Sequence, residues 1–209
     1  MLVRPVIALL LTIASVSPSA VAKDIEGTVT IGGEPKGGAT VTLWRTNGTE
    51  APESLAEVTA DRSGGFAIRD SIEGRALADG DVFYLTTKDG TNAAVTLMSV
   101  LGTNPPEKVV VNELTTVASA FTSARFINGT RISGNALGLR IAAGNAPNLV
   151  DPVTGTWGKV LLDPLNSTQT TTLATLNTLG SMITAFATLA DDAWRASFFK
   201  AATPASGTA

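Results

Sequence analysis

Two short motifs in this chain carry the residue types of a covalent catalyst. Ser197-Phe198-Phe199-Lys200 fits Ser-x-x-Lys, and Ser133-Gly134-Asn135 fits Ser-x-Asn, both motifs of β-lactam-processing enzymes. Their order is reversed, and no Lys-Thr-Gly follows. Patterns this short arise by chance, so no catalytic residue is assigned. Asp79, Asp81, Asp89 and Asn92 offer the oxygen ligands that calcium takes, but the D-x-D-x-D-G spacing and a terminal Glu are missing. Polar hairpin turns explain the same residues. Asp191 and Asp192 are adjacent, diverge by about 100° on a helix and do not face one another as an acid/base pair. They are expected to end a long helix.

Composition narrows the chemistry further. The 209 residues include no His and no Cys. Ser-His-Asp triads, Cys-His pairs and conventional zinc sites are therefore impossible, as are disulfides and a lipid carried on cysteine. No cofactor and no metal are expected. The 15 basic and 18 acidic residues are scattered without a basic block, which argues against nucleic acid as a partner. Trp44 is the strongest ligand-binding candidate, with Arg45 beside it. Trp44 shares parity with Thr40 and Thr42, opposite Val41 and Leu43, which places it on an outer strand face where an indole could stack on a sugar. Cover by a loop or by the helical half is the plainer expectation. Trp157 could pack between two domains in the same way.

The elements that must position these residues change character midway. Val29 and Ile31 alternate with Thr28 and Thr30, and Ala39, Val41 and Leu43 alternate with Thr40, Thr42 and Trp44. Further runs cover 55–60, 65–69, 81–87, 93–98 and 108–111, with Gly- and Asp-rich turns between most of them. Period-two patterning with frequent turns predicts an antiparallel β-sandwich. From Asn112 the period becomes helical: Leu114, Val117, Ala118, Phe121 and Ala124 share one face. Asn112 is the expected N-cap, with Glu113 where the helix dipole favours an anion. A second helix is capped by Ser133 or Asn135 and stopped by Pro147. A third carries Leu173, Leu176, Leu179, Ile183, Phe186 and Ala190, and a fourth spans 193–201. The stretch "DPVTGTWGKVLLDPLNST" between them is read as loop.

The N-terminus reads as a secretory leader: Arg4, an apolar run over 6–16, and a small-x-small site at Ala20-Val21-Ala22. The run is shorter than the roughly 20 residues a span needs. The mature chain is expected to begin at Lys23, outside the cytoplasm (secreted or periplasmic), with no stable membrane span.

"GTVTIGGEPKGGATVTL" followed by "TADRSGGF" is similar to the carboxypeptidase regulatory-like domain, a prealbumin-like sandwich, over residues 24–111. In that family a Gly-x-Val strand leads through a Pro-containing turn to a Gly-Ala-x-Val-x-Leu strand and then a Thr-Asp-x-x-Gly-x-Phe turn. Here Ala60 stands between Thr59 and Asp61. The same residues have plain physical roles: Asp61 can accept backbone hydrogen bonds, Gly64 or Gly65 can supply positive φ, and Phe66 plugs the core. The resemblance implies a non-catalytic spacer or attachment module. "NELTTVASAF", "ISGNALGLRIAAGNAPNLVD" and "LNSTQTTTLATLNTLGSMI" resemble a helical block of exported bacterial proteins, over residues 109–190. There it often stands between such a sandwich and a β-propeller of NHL repeats, some of them streptogramin-lyase-like. Those relatives carry a Cys pair near positions 190–196 and continue into the propeller, whereas this sequence has no Cys and ends at Ala209.

The expected fold is therefore segregated α+β. It comprises a leader over 1–22, a β-sandwich over 23–111, a small α-helical bundle over 112–202 and a disordered tail over 203–209. The expected role is an exported non-enzymatic attachment module with an envelope protein or glycan as partner. The alternatives are a glycan-binding module using Trp44 and Arg45, or the accessory front of a propeller-type lyase. Trp194, Phe198 and Phe199 near the end are expected to fold back on Leu176, Ile183 and Phe186 in part, with Phe199 left accessible for self-association.

Overall fold

A computed structural model describes residues 24–69, 80–89, 95–189 and 191–202. The leader, the tail over 203–209, Asp79, Asn92 and Ala190 lie outside the described residues. The chain is an α+β protein. Its first sheet is built on β1 (Ile25–Ile31), which pairs with β2 (Glu34–Pro35), β5 (Gly65–Ile68) and β8 (Lys108–Val111). The second runs in the order β4 (Glu53–Thr59), β3 (Thr40–Thr46), β6 (Val82–Lys88), β7 (Thr96–Gly102).

Among the described residues every ladder is antiparallel except one: β8 lies parallel to β1, from Glu26↔Lys108 to Val29↔Val111. The purely antiparallel expectation fails there because β8 is reached by a crossing from β7 in the other sheet, not through a hairpin. The strand expected over 93–98 lies further on, at Thr96–Gly102.

Alternation along the second sheet sends Val41, Leu43, Phe83, Leu85 and Leu97 into one core with Ile25, Val29, Phe66, Ile68, Val109 and Val111 of the first. Its opposite face is covered as well. Val82, Tyr84, Met98 and Val100 pack there against Ile132, Leu139, Ala143 and Ala146. A strand buried on both faces loses its polar–apolar alternation, which is why β6 reads as the nearly unbroken run Val82-Phe83-Tyr84-Leu85.

The covering residues belong to the small hairpin of β9 (Ile127–Asn128) and β10 (Arg131–Ile132) and to α2 (Ala136–Leu149), while α1 (Glu113–Thr122) packs along β7. Asn112 caps α1 as expected: its side chain accepts from the Thr115 N–H, while Thr115 Oγ1 accepts from the Asn112 N–H, each at 2.9 Å. Asn135, not Ser133, caps α2 by accepting from the Gly138 N–H at 2.7 Å. Pro147 does not stop this helix. It lies in the last turn, where only the Ala143 carbonyl loses its donor, and α2 continues to Leu149.

The stretch expected to be loop holds β11 (Val150–Asp151), β12 (Thr156–Trp157), α3 (Lys159–Leu162) and α4 (Pro164–Gln169). Then come α5 (Thr172–Thr188) and α6 (Asp192–Ala202). Val117, Ala118, Val150, Leu161 and Leu176 form a third core, while Ile183 and Ala187 of α5 pack against the core to which both sheets contribute. Asp191 does not end the long helix but starts the last one, accepting from the Ala193 and Trp194 N–H groups.

The turn into β5 follows its sequence. Asp61 Oδ1 accepts from Ser63 N, Ser63 Oγ and Gly65 N at 2.6–2.9 Å, and these bonds hold its carboxyl below the usual carboxylate pKa, the Ser63 hydroxyl first. Gly64, at φ +75°, supplies the left-handed residue.

Candidate functional site

Trp44 and Tyr84 are cross-strand partners on β3 and β6, so both stand on the helix-covered face of the second sheet. Their rings are parallel within 13°, with centroids 6.2 Å apart. The Trp44 indole N–H donates to Thr86 Oγ1 at 2.8 Å, and the Arg131 guanidinium lies over the indole at 5.9 Å. Trp44 is half-buried within this cluster. Arg45, next along the strand, points to the opposite face. Its guanidinium reaches Glu53 at 2.7 Å and the buried Asp81 at 3.5 Å, and Asn47 donates to the same Asp81 at 2.9 Å. A cavity of about 130 Å³ lies on this side, lined by Arg45, Asn47, Glu50 and Glu53. Trp44 and Arg45 therefore do not converge on one groove.

Tyr84 is fully buried, and its hydroxyl accepts from the Ile132 N–H at 3.2 Å. Burial pushes the phenol up to about 12, opposed by the Ile132 hydrogen bond and the Arg131 charge. It is the only tyrosine in the chain, so an ultraviolet titration reads this group alone. The expected result is a titration near 12 in the folded protein and near the ordinary value of about 10 in denaturant. The neutral phenol is the form the fold favours. Its contribution to stability is therefore complete below about pH 10 and is lost as pH rises through about 12. A folded-state value near 10 would mean that the Ile132–Tyr84 contact is open to water.

The other acidic candidates are engaged locally. Asp89 forms an ion pair with Lys36 at 2.8 Å. Among the described residues no cluster of three or more Asp or Glu side chains is placed to hold a metal. Ser197 and Lys200 are exposed on α6, and Gly134 of the Ser-x-Asn motif donates its N–H to the Gly48 carbonyl.

Phe186 gathers Trp194, Phe198 and Phe199 at centroid distances of 4.8, 4.7 and 5.4 Å, so the last helix does fold back. Phe199 remains 63% exposed. Arg195, which sequence reasoning missed, secures this return by donating to the Phe186 and Leu189 carbonyls at the end of α5. Trp157 is tied to α5 by its indole N–H, which donates to Asn177 Oδ1 at 2.8 Å.

No family model matches this chain, and no curated protein matches it. Among solved structures, a 9R-lipoxygenase from Cyanothece PCC8801 is similar at 12% identity with a TM-score of 0.28. The match takes in 49% of this chain and 17% of the lipoxygenase. A likeness so slight carries no argument about fold or activity.

Proposed function

We propose that this chain is an exported, non-catalytic attachment module of the cell envelope. In this reading the two sheets form a prealbumin-like β-sandwich over 23–111, and the helices over 112–202 form a small bundle laid on it. The observation that carries it is how the polar side chains are used. Asp61, Asn112, Asn135, Asp191 and Arg195 each hold backbone at a turn or a helix end, and Asp81 and Asp89 are committed to Arg45 and Lys36. The work lies in holding a surface rigid. The resemblance to carboxypeptidase regulatory-like domains points the same way.

The glycan alternative is less favoured, because the Trp44 indole donates to Thr86 and lies beneath Arg131. Cell fractionation with N-terminal sequencing tests the main proposal. The expected product is envelope-associated or secreted protein beginning at Lys23, without hydrolytic turnover of peptides, esters, β-lactams or glycosides. Full-length protein in the cytoplasm, or a turnover abolished by changing one carboxylate or Ser197, would replace it.

Self-association is the proposed behaviour of the C-terminal aromatic cluster. Phe199 offers an exposed ring continuous with Phe186 and Phe198. The wild type is expected to bind a hydrophobic dye or to associate in sedimentation more than Phe199→Ser does. Identical behaviour of the two would remove Phe199 from the interface.

A further inference from the structure

Among the described residues, every exposed large hydrophobic side chain lies after residue 112. Of the five that are more than half exposed, three lie on α1 and α2: Phe121 at the end of α1 is 72% exposed, and Leu137 and Ile141, one turn apart on α2, are 61% and 57% exposed. Leu137, Ile141 and Asn145 follow one another at four-residue spacing along α2, and Asn145 lines a cavity of about 360 Å³ together with Phe121. Phe121 also borders an apolar cavity of about 200 Å³ lined by Leu149, Leu176 and Leu179.

The segment that carries these side chains has charges of one sign. From Leu114 to Val150 the only charged residues are Arg125, Arg131 and Arg140, with no acidic residue at all. Arg131 belongs to the Trp44 cluster, whereas Arg125 follows Phe121 by four residues and Arg140 adjoins Ile141. Both are exposed, and neither forms an ion pair among the described residues. The neighbouring stretch 164–190 contains no charged residue.

From this juxtaposition we infer that the Phe121–Leu137–Ile141 face docks onto an anionic phospholipid surface. The apolar side chains enter the headgroup boundary while Arg125 and Arg140 meet lipid phosphates. Projecting hydrophobics suit a fluid interface better than a preformed protein surface, which would have to supply a matching pocket for each. Missing carboxylates remove the repulsion that an anionic bilayer would otherwise meet. The inference deepens the attachment reading and rests on it for the surface to which the module attaches.

The absence of cysteine makes the test specific. Ile141→Cys in the full chain, labelled with an environment-sensitive fluorophore, is mixed with phosphatidylglycerol–phosphatidylcholine vesicles or with phosphatidylcholine alone. Thr59→Cys, exposed on β4, carries the same label as control, since the apolar leader could bring the chain to vesicles without orienting it. The expected result is a blue shift at 141 with anionic vesicles only, weakened by salt, and no shift at 59. Adding Arg125→Gln and Arg140→Gln should lower the partitioning by about fivefold for each positive charge lost. Phe121→Ser should lower it without changing the circular dichroism spectrum. No shift at 141, an equal shift at 59, partitioning untouched by these changes, or a shift produced only by a protein fraction would each overturn the inference. Export judged by fractionation is read independently, so failure here leaves the attachment reading standing on its own test.

Discussion

Phe66→Ala is expected to lower the free energy of unfolding by about 3–5 kcal/mol, the usual range for deleting a buried aromatic ring. The site explains why little relaxation should soften the loss. Phe66 is the register partner of Gly27, and its ring lies where a Gly27 side chain would stand: a Cβ there would be 2.5 Å from Phe66 Cζ. The ring fills the gap that the glycine leaves in β1, inside the core shared by both sheets. Truncating it exposes a gap bounded by backbone, which collapses less readily than one bounded by flexible side chains. Gly27→Ala should also destabilise, and the double variant should cost less than the two single changes combined, because both act on one space. Urea melts of the three variants supply the measurement. A Phe66→Ala loss below about 1 kcal/mol would show that the ring does not plug this core.

What could be read in advance divides by the sequence distance of the partners. The Asp61 turn and the Asn112 cap were legible, because each donor stands within four residues of its acceptor. The Trp44 cluster was not. Parity put Trp44 on the face opposite Val41, yet Tyr84 arrives through the β3–β6 register and Arg131 through the packing of a distant hairpin, neither of which local pattern reveals. The 151–168 stretch was misread because its prolines look like breakers. Pro152 follows β11 in the turn of a hairpin, and Pro164 occupies the first position of α4, where a missing N–H costs nothing. The return of the last helix was legible in the spacing from Trp194 to Phe198. The carbonyl clamp by Arg195 was not, since an arginine in a helix has many possible uses.

The second large effect concerns the edge of the second sheet. In β7, Met98 and Val100 direct their N–H groups away from β6, and an uncovered row of this kind invites pairing with another chain. Helix α1 lies along this edge. Thr116 Oγ1 accepts from Met98 N at 3.0 Å, and Ser119 Oγ accepts from Val100 N at 2.9 Å, so two hydroxyls stand where a neighbouring strand would place carbonyls. Thr116 can serve because its own proton goes to the Asn112 carbonyl at 2.6 Å, leaving the oxygen free to accept. In the first sheet, Val110 N similarly donates to the Pro152 carbonyl. The helical part therefore completes the sheets as well as covering them. Thr116→Val combined with Ser119→Ala keeps the apolar packing but orphans two N–H groups. At about 1–3 kcal/mol for each unsatisfied buried group, the pair should cost about 2–6 kcal/mol. Thr178→Val is the control: its hydroxyl bonds only to the Ala174 carbonyl on an exposed helix face, and the change should stay within about 0.5 kcal/mol. If helices and sheets form one cooperative unit, the double variant keeps a single denaturant transition at a lower midpoint. A second transition would mean that α1 leaves the edge before the sheets melt. A cost no greater than that of the control would mean that water, not α1, satisfies β7.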